Sequence, residues 1–444
     1  TGYTPGGQAV VDNKVYVFGG FNNAASPYEL NRTDRYDPVA NTFTQVGNLS
    51  LARSYIANAV VDGKIYGFGR TAFDGASLYA LQGGRIELPG LTQYAHAATV
   101  NDQTYTLRAE GAGSMLDLSG VTQITGGTRW NSDLAIEALA GGQIDLGNVA
   151  RIADSTTGER RYGSMSVTAD GPGSAVRLDA LTQFQDVDGS QLSAWTVRNG
   201  GEVHSPLLTS MSGAALTLDG TGTIPVVQLL SFTDGELTVR DANYSFDALA
   251  SLAGTSVSVS GVHAEATAVT NLTRARIVLS SGGTIGLPGA SQIDGASFLV
   301  SGGVTLTLPA ATSYAHTGLV NDQTYTLRAE GAGSVLDLSG VTQITGGTLW
   351  NSDISIEAYT GGQINLGGVT QIADSPTGER RYGSMSVTAD GPGSLVYLDA
   401  LTQFQDVDGS QLSAWTVRNA GEIHAPQLAS LSGVMLVLDG TGTI

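Results

Sequence analysis

The 444-residue chain predicts an all-β fold: a right-handed parallel β-helix (solenoid) of about fourteen coils, with a short repeat of another kind before it. Three observations predict it. Glycine fills 60 positions and cysteine none, so tight corners are made without disulfides. A long block of sequence occurs twice. Within that block, short alternating apolar runs return at nearly regular intervals, which is strand periodicity.

The long block comes first because internal repeats decide the architecture. Asn101 to Arg108 recurs at Asn321 to Arg328, and the offset of 220 residues holds to Ile444. Residues 101–224 and 321–444 differ at 22 of 124 positions, about 82% identity. Such similarity reads as recent duplication, so identity of a loop between copies carries little weight as a sign of function.

The shorter unit is two small residues, an alternating pair of apolar residues, and then an apolar-Thr-x-apolar run. It reads Gly83-Gly84-Arg85-Ile86-Glu87-Leu88 with Leu91-Thr92-Gln93-Tyr94, and next Gly113-Ser114-Met115-Leu116-Asp117-Leu118 with Val121-Thr122-Gln123-Ile124. Later units start at Gly141 and Gly173; the four starts are 30, 28 and 32 residues apart. A third alternating run closes many units, as in Leu134 to Ala138. Helical stripes are absent. Three short strands with Gly at the corners describe one coil, which buries its inner face only by stacking on the next.

Ile86/Leu88, Leu116/Leu118, Ile144/Leu146 and Val176/Leu178 are the expected inward ladders. Exchanges between copies agree with a core: Leu134 becomes Ile354, Val203 becomes Ile423 and Met211 becomes Leu431, all nearly volume-conserving. Stacked at roughly 4.8 Å, the coils predict a rod on the order of 65–70 Å long. Thr92, Thr122, Thr182, Thr209, Thr312, Thr342, Thr370 and Thr402 share one coil position, read as a stacked ladder rather than an ice-binding array. A leucine-rich-repeat horseshoe is the rival fold, but the turn Asn and steady period are missing. The expected domains are residues 1–80, a first solenoid module at 81–300, and a truncated second copy at 301–444.

Residues 1–70 have a different period. Gly7 to Gly20 matches Ala57 to Arg70 at an offset of 50. Between them stand Tyr36-Asp37-Pro38 and then Phe43. This closely resembles the kelch motif, a Gly doublet followed by Tyr-Asp-Pro and an aromatic seven residues after the Tyr. The family carries Trp where this chain has Phe43, and the second copy reads Gly69-Arg70 where the doublet belongs. The resemblance implies one to one-and-a-half four-stranded β-propeller blades, too few to close a ring. A propeller continuing upstream is the preferred reading; strands capping the solenoid are the other. The coils resemble the β-solenoid repeats of large bacterial surface and adhesin-like proteins.

Forty acidic against 21 basic residues give a net charge of −19. That argues against nucleic acid and anionic membrane surfaces, both of which need basic patches. No apolar run is long enough for a transmembrane helix. Gly-Thr-Gly-Thr-Ile at 220–224 runs on into Pro225, whereas its copy ends at Ile444, so the chain is expected to be part of a longer one.

Chemistry-bearing motifs are few. His96, His204, His263, His316 and His424 lack metal-ligand spacing and are read as structural. Asp186-Val187-Asp188-Gly189 recurs from Asp406 through Asp408 and is half of a calcium loop. A solvated Asp-Gly turn is the preferred account, so no cofactor is expected and calcium is the alternative. Trp130, Arg161, Tyr162 and Trp195, with their copies Trp350, Arg381, Tyr382 and Trp415, are the candidate carbohydrate-binding residues, since flat aromatic faces and guanidinium forks suit sugars. Asp117, Asp145, Asp154, Asp170 and Asp179 are scattered in sequence, and Asp145 becomes Asn365. The expected function is a non-catalytic extracellular or cell-surface repeat protein, a rigid acidic stalk or adhesin whose partner is a polysaccharide or matrix component. The alternative is a polysaccharide-binding or polysaccharide-degrading β-helix protein.

Overall fold

The computed structural model describes the chain except residues 1–2, 5–6, 12–13, 19–20, 23–29, 54–56, 62–63, 69–71, 97–99, 156, 159–161, 188–190, 379–380 and 408–410. Among the described residues every regular element is a strand. The chain divides into two compact units, Thr1–Ala214 with Thr221–Pro225, and Ala215–Gly220 with Val226–Ile444. The module boundary expected at 300 falls inside the second.

The first unit opens with an antiparallel sheet of four strands in the order Gly7–Val11, Lys14–Phe18, Leu30–Asp37 and Thr42–Arg53. Ala57–Val61 and Lys64–Phe68 form a further antiparallel hairpin. These are one and a half blades. Tyr36 and Phe43 are register partners whose rings lie 4.8 Å apart. Asp37 turns the chain between them: its Oδ1 accepts the Val39 and Ala40 N–H groups at 3.0 and 3.2 Å. Its Oδ2 accepts from Lys14 Nζ at 3.1 Å, which with those turn bonds holds the carboxyl below its usual value. Gly19-Gly20 and Gly69-Arg70 lie outside the described residues. The hairpin strand Ala57–Val61 lies against both Gly7–Val11 and Arg85–Glu87.

Parallel pairing begins before residue 81. Ala72–Asp74 pairs with Gln93–Ala95, and Leu78–Leu81 with Leu107 to Glu110. From there the coils stack on three faces, with single bridges at Thr223, Ser251, Asn271 and Gln292 where a coil has no full strand. The first face stacks Leu78–Leu81, Gln103–Glu110, Ser132–Leu139, Met165–Asp170 and Ser193–Arg198. The second stacks Arg85–Glu87, Met115–Asp117, Gln143–Asp145, Ala175–Arg177 and Glu202–His204. The third includes Gln93–Ala95, Gln123–Thr125, Arg151–Ala153, Gln183–Gln185 and Ser210–Ser212. The second unit repeats the pattern, with its first face running from Glu236–Arg240 to Val434–Leu438.

Alternation dictates this arrangement. Every second residue of a strand faces one side, so Ile86, Leu116, Ile144 and Val176 fall into register and are buried, as are Leu88, Leu118, Leu146 and Leu178. Burying each such side chain contributes roughly 1.5–3 kcal/mol relative to leaving it exposed.

The second small residue of each unit alternates between Gly and Ser for a steric reason. A Cβ at Gly142 would lie 2.1 Å from the Ala109 carbonyl oxygen, and one at Gly362 2.2 Å from that of Ala329. Where there is room, Ser stands and ties two coils. Ser114 Oγ accepts the Gly83 N–H at 2.8 Å and donates to the Glu110 carbonyl at 2.6 Å. Ser394 does the same with Gly361 and Asp390 at 2.9 and 2.7 Å. The threonine ladder acts similarly. Thr342, Thr370 and Thr402 each donate a hydroxyl to the carbonyl of the preceding coil at 3.1, 3.1 and 3.0 Å.

Candidate functional site

Trp130 and Trp350 sit just before first-face strands, where the chain turns from the third face. Each receives a tyrosine from the loop of the next coil. Tyr162 lies over Trp130 with ring centroids 5.2 Å apart, and Tyr382 over Trp350 at 5.8 Å. Both tyrosines have φ +65°. A bulky residue there is an outlier, sustained only where its surroundings hold it. Trp350 is 45% exposed and Tyr382 44%, so the pair presents aromatic faces to solvent. Leu319 and Val320 are also exposed close by, since Asp322 donates its N–H to the Trp350 carbonyl at 3.1 Å. The Arg381 carbonyl accepts the Asn351 N–H at 2.9 Å, which fixes the loop beside the tryptophan. Arg161 lies outside the described residues.

Trp195 and Trp415 are not surface residues. They are 1% and 0% exposed and stack edge-on against Phe184 and Phe404 at 5.2 and 5.6 Å. They point inward because each shares a strand phase with a buried valine two residues on, Val197 and Val417. That phase is readable in Ser-Ala-Trp-Thr-Val-Arg and is the signal that marks them as core.

Asp186 and Asp406 are likewise interior. Ser193 Oγ donates to Asp186 Oδ2 at 2.5 Å and accepts the Met165 N–H at 2.7 Å. Asp406 Oδ2 accepts the Ser413 N–H and hydroxyl at 2.9 and 2.7 Å. Each is a buried acceptor tying its loop to the first face, not a solvated turn. Asp188 and Asp408 lie outside the described residues. Among the described residues no three His, Cys, Asp or Glu side chains are grouped to hold a metal ion.

The second face assembles what the sequence leaves scattered. Asp117, Asp145, Arg177 and His204 are successive register partners. Asp179 joins them: it accepts from Arg177 Nη2 at 2.6 Å and is hydrogen-bonded to His204. A Cβ on Gly147 would lie 3.1 Å from Asp145 Oδ1 and 3.2 Å from Asp179 Oδ2, so these carboxylates converge. The charges of Arg177 and Asp179 act on each other. Burial pushes the Asp179 carboxyl up, but bonds from Arg177 and His204 outweigh it and hold it below the usual value. The Arg177 guanidinium is pushed up by the bond to Asp179 and by the charges of Asp179 and Asp145. Glycoside hydrolysis uses one protonated carboxyl beside one ionised carboxylate, and β-elimination uses a base that takes up a proton. Asp179 is held ionised and Arg177 is held charged. The second unit places Asp337, Asn365, Tyr397 and His424 at the same positions, without the arginine and one carboxylate.

His96 and His316 are packed in their units. Each has Nε2 on a backbone carbonyl, Gln103 at 3.0 Å and Gln323 at 2.9 Å, and stacks on Tyr105 or Tyr325 at 4.5 Å. His316 Nδ1 accepts the Gly318 N–H at 3.2 Å, so the neutral ring carries its proton on Nε2.

The third face carries outward amides, Gln123 and Gln183 in the first unit and Gln343, Gln371 and Gln403 in the second. No sequence signal singles them out, because Gln has neither the charge nor the ring that marks a candidate. Among the described residues no helix is long and apolar enough to cross a membrane.

Fold and surface together define a parallel β-solenoid protein with a kelch sheet near its N-terminus. The family model for the kelch motif matches residues 8–50, which include the whole Tyr36-Asp37-Pro38 turn and Phe43. No curated protein and no solved structure matches the chain.

Proposed function

We propose that this chain is a non-catalytic repeat protein of the cell exterior, an acidic solenoid that serves as a rigid stalk with an adhesive role. The observation that carries this reading is the Arg177–Asp179–His204 cluster. It is the described group nearest in composition to a polysaccharide-cleaving site, and its Arg177 and Asp179 are tied to each other as a charge-compensated pair. Duplication supports the same reading. A catalytic centre needs one geometry held to about half an ångström, whereas repeated modules multiply weak contacts. The test is release of new sugar ends from acidic and neutral polysaccharides. None is expected above background. Turnover abolished by Arg177→Gln would make this an enzyme. Antibody labelling of intact source cells tests the location, and signal only after lysis would place the chain inside.

A second reading, polysaccharide binding, is favoured by the exposed Trp350–Tyr382 pair. Two fixed rings at a solenoid corner suit the apolar face of a sugar.

A further inference from the structure

The third face of the second unit is grooved. The groove encloses about 420 Å³, within the range of small-ligand sites. Its floor includes the amides of Gln343, Gln371 and Gln405, and its walls Pro376 and Val407. Two of the three come from the coil repeat: Gln343 and Gln371 are register partners on adjacent coils, and Gln403, the partner of Gln371 on the next coil, stands beside the lining. Gln371 and Gln405 are held through Gln403. Gln371 Nε2 donates to Gln403 Oε1 at 3.2 Å, and Gln403 Nε2 donates to Gln405 Oε1 at 3.0 Å. One wall is also fixed, because Asp374 Oδ2 accepts the Val407 N–H at 2.8 Å. Pro376 stiffens the other.

The same face of the first unit has diverged. Arg151 stands where the second unit has Gln371, and Thr156 where it has Pro376. The Arg151 guanidinium lies along the face, donating to Gln183 Oε1 at 3.1 Å and Gln185 Oε1 at 2.6 Å. A smaller recess of about 100 Å³ lies beside Gln93 and Gln123. In copies that differ at 22 of 124 positions, both exchanges bear on this groove.

We propose that the groove of the second unit binds a neutral, hydroxyl-rich polysaccharide chain, and that glutamine in place of arginine at 371 opens it to that ligand. Amides both donate and accept, as sugar hydroxyls do, so each can match a hydroxyl in either role. Pro376 and Val407 offer apolar contact to the C–H faces of the ring. No cation is among the described residues that line the groove, and Asp374 disfavours an acidic sugar. Neither Trp350 nor Tyr382 lines the groove, and the inference does not depend on whether the chain lacks catalysis.

The test is saturation-transfer NMR and calorimetry on the full chain, with a neutral β-glucan oligosaccharide and an oligogalacturonate as probes. The neutral probe is expected to bind more tightly. Gln371→Arg, which restores the residue of the first unit, should weaken it roughly tenfold, the size of one or two hydrogen bonds. Gln371→Ala should weaken it in the same direction. Both changes are on the outer face, and an unchanged thermal melt checks that they fold. Absence of neutral-sugar binding, preference for the uronate, or affinity unaltered by both variants would overturn the proposal. Binding lost in Trp350→Ala but kept in Gln371→Arg would move the sugar to the aromatic pair and overturn it equally.

Discussion

Tyr382 stacks on Trp350 with ring centroids 5.8 Å apart while its own backbone sits at φ +65°. Tyr382→Gly relieves that backbone and removes the ring. Stability is expected to change by less than about 1 kcal/mol, because relief of the backbone strain offsets removal of the stacked ring. If the pair holds sugar, retention in polysaccharide affinity gels falls in the same variant and in Trp350→Ala. Unchanged retention in both would remove the aromatic reading.

Trp415 is a core residue, so its replacement should act on folding. Trp415→Ala is expected to cost about 3–5 kcal/mol in denaturant unfolding. Trp415→Phe should cost much less than Trp415→Ala, since the indole Nε1 has no hydrogen-bond partner among the described residues to lose. Equal losses in the two variants would contradict that interior placement.

Asp406 is tied to Ser413 by its N–H and its hydroxyl. Asp406→Ala leaves both donors buried without that acceptor, an expected loss of roughly 1–3 kcal/mol. If that tie is the whole role of Asp406, Tm is expected to be unchanged by EDTA. A fall in Tm with EDTA that calcium reverses would instead show a cation near Asp406.

His316 contributes a pH dependence. Burial lowers its pKa from the ordinary 6.5, and the carbonyl of Gln323 only partly opposes this. The folded state therefore prefers the neutral ring. Its contribution is fully present above the unfolded value and is lost as pH falls through the lower folded value. Thermal melts between pH 7 and pH 5, with His316→Gln as reference, should show the wild-type chain losing more stability on acidification. Equal slopes would rule out His316 as the source.

Much of this is legible in the chain. The Ile144/Leu146 and Val176/Leu178 ladders follow from alternation alone, because a period of two admits one inward phase. Tyr36 and Phe43 are legible as parts of the kelch pattern, and the short turn between their strands makes them partners. Trp195 and Trp415 suit a sugar-binding surface by residue type, but strand phase turns them inward, and phase prevails because the backbone fixes the direction of each side chain. Asp186 and Asp406 resemble a loop motif by spacing. Their use as buried acceptors depends on Ser193 and Ser413, seven residues on in an adjoining strand.

Sequence by itself therefore determined the repeat, the inward columns and the kelch turn, all of which rest on local spacing. Tertiary structure alone decided which outward residues meet. Asp145 and Asp179 converge above Gly147, and Gln371 meets Gln403 across a coil, only because parallel stacking brings residues about thirty apart in sequence into adjacent strands. Coil lengths vary and loops enter between strands, so that register follows from hydrogen bonding along the faces and cannot be counted along the chain.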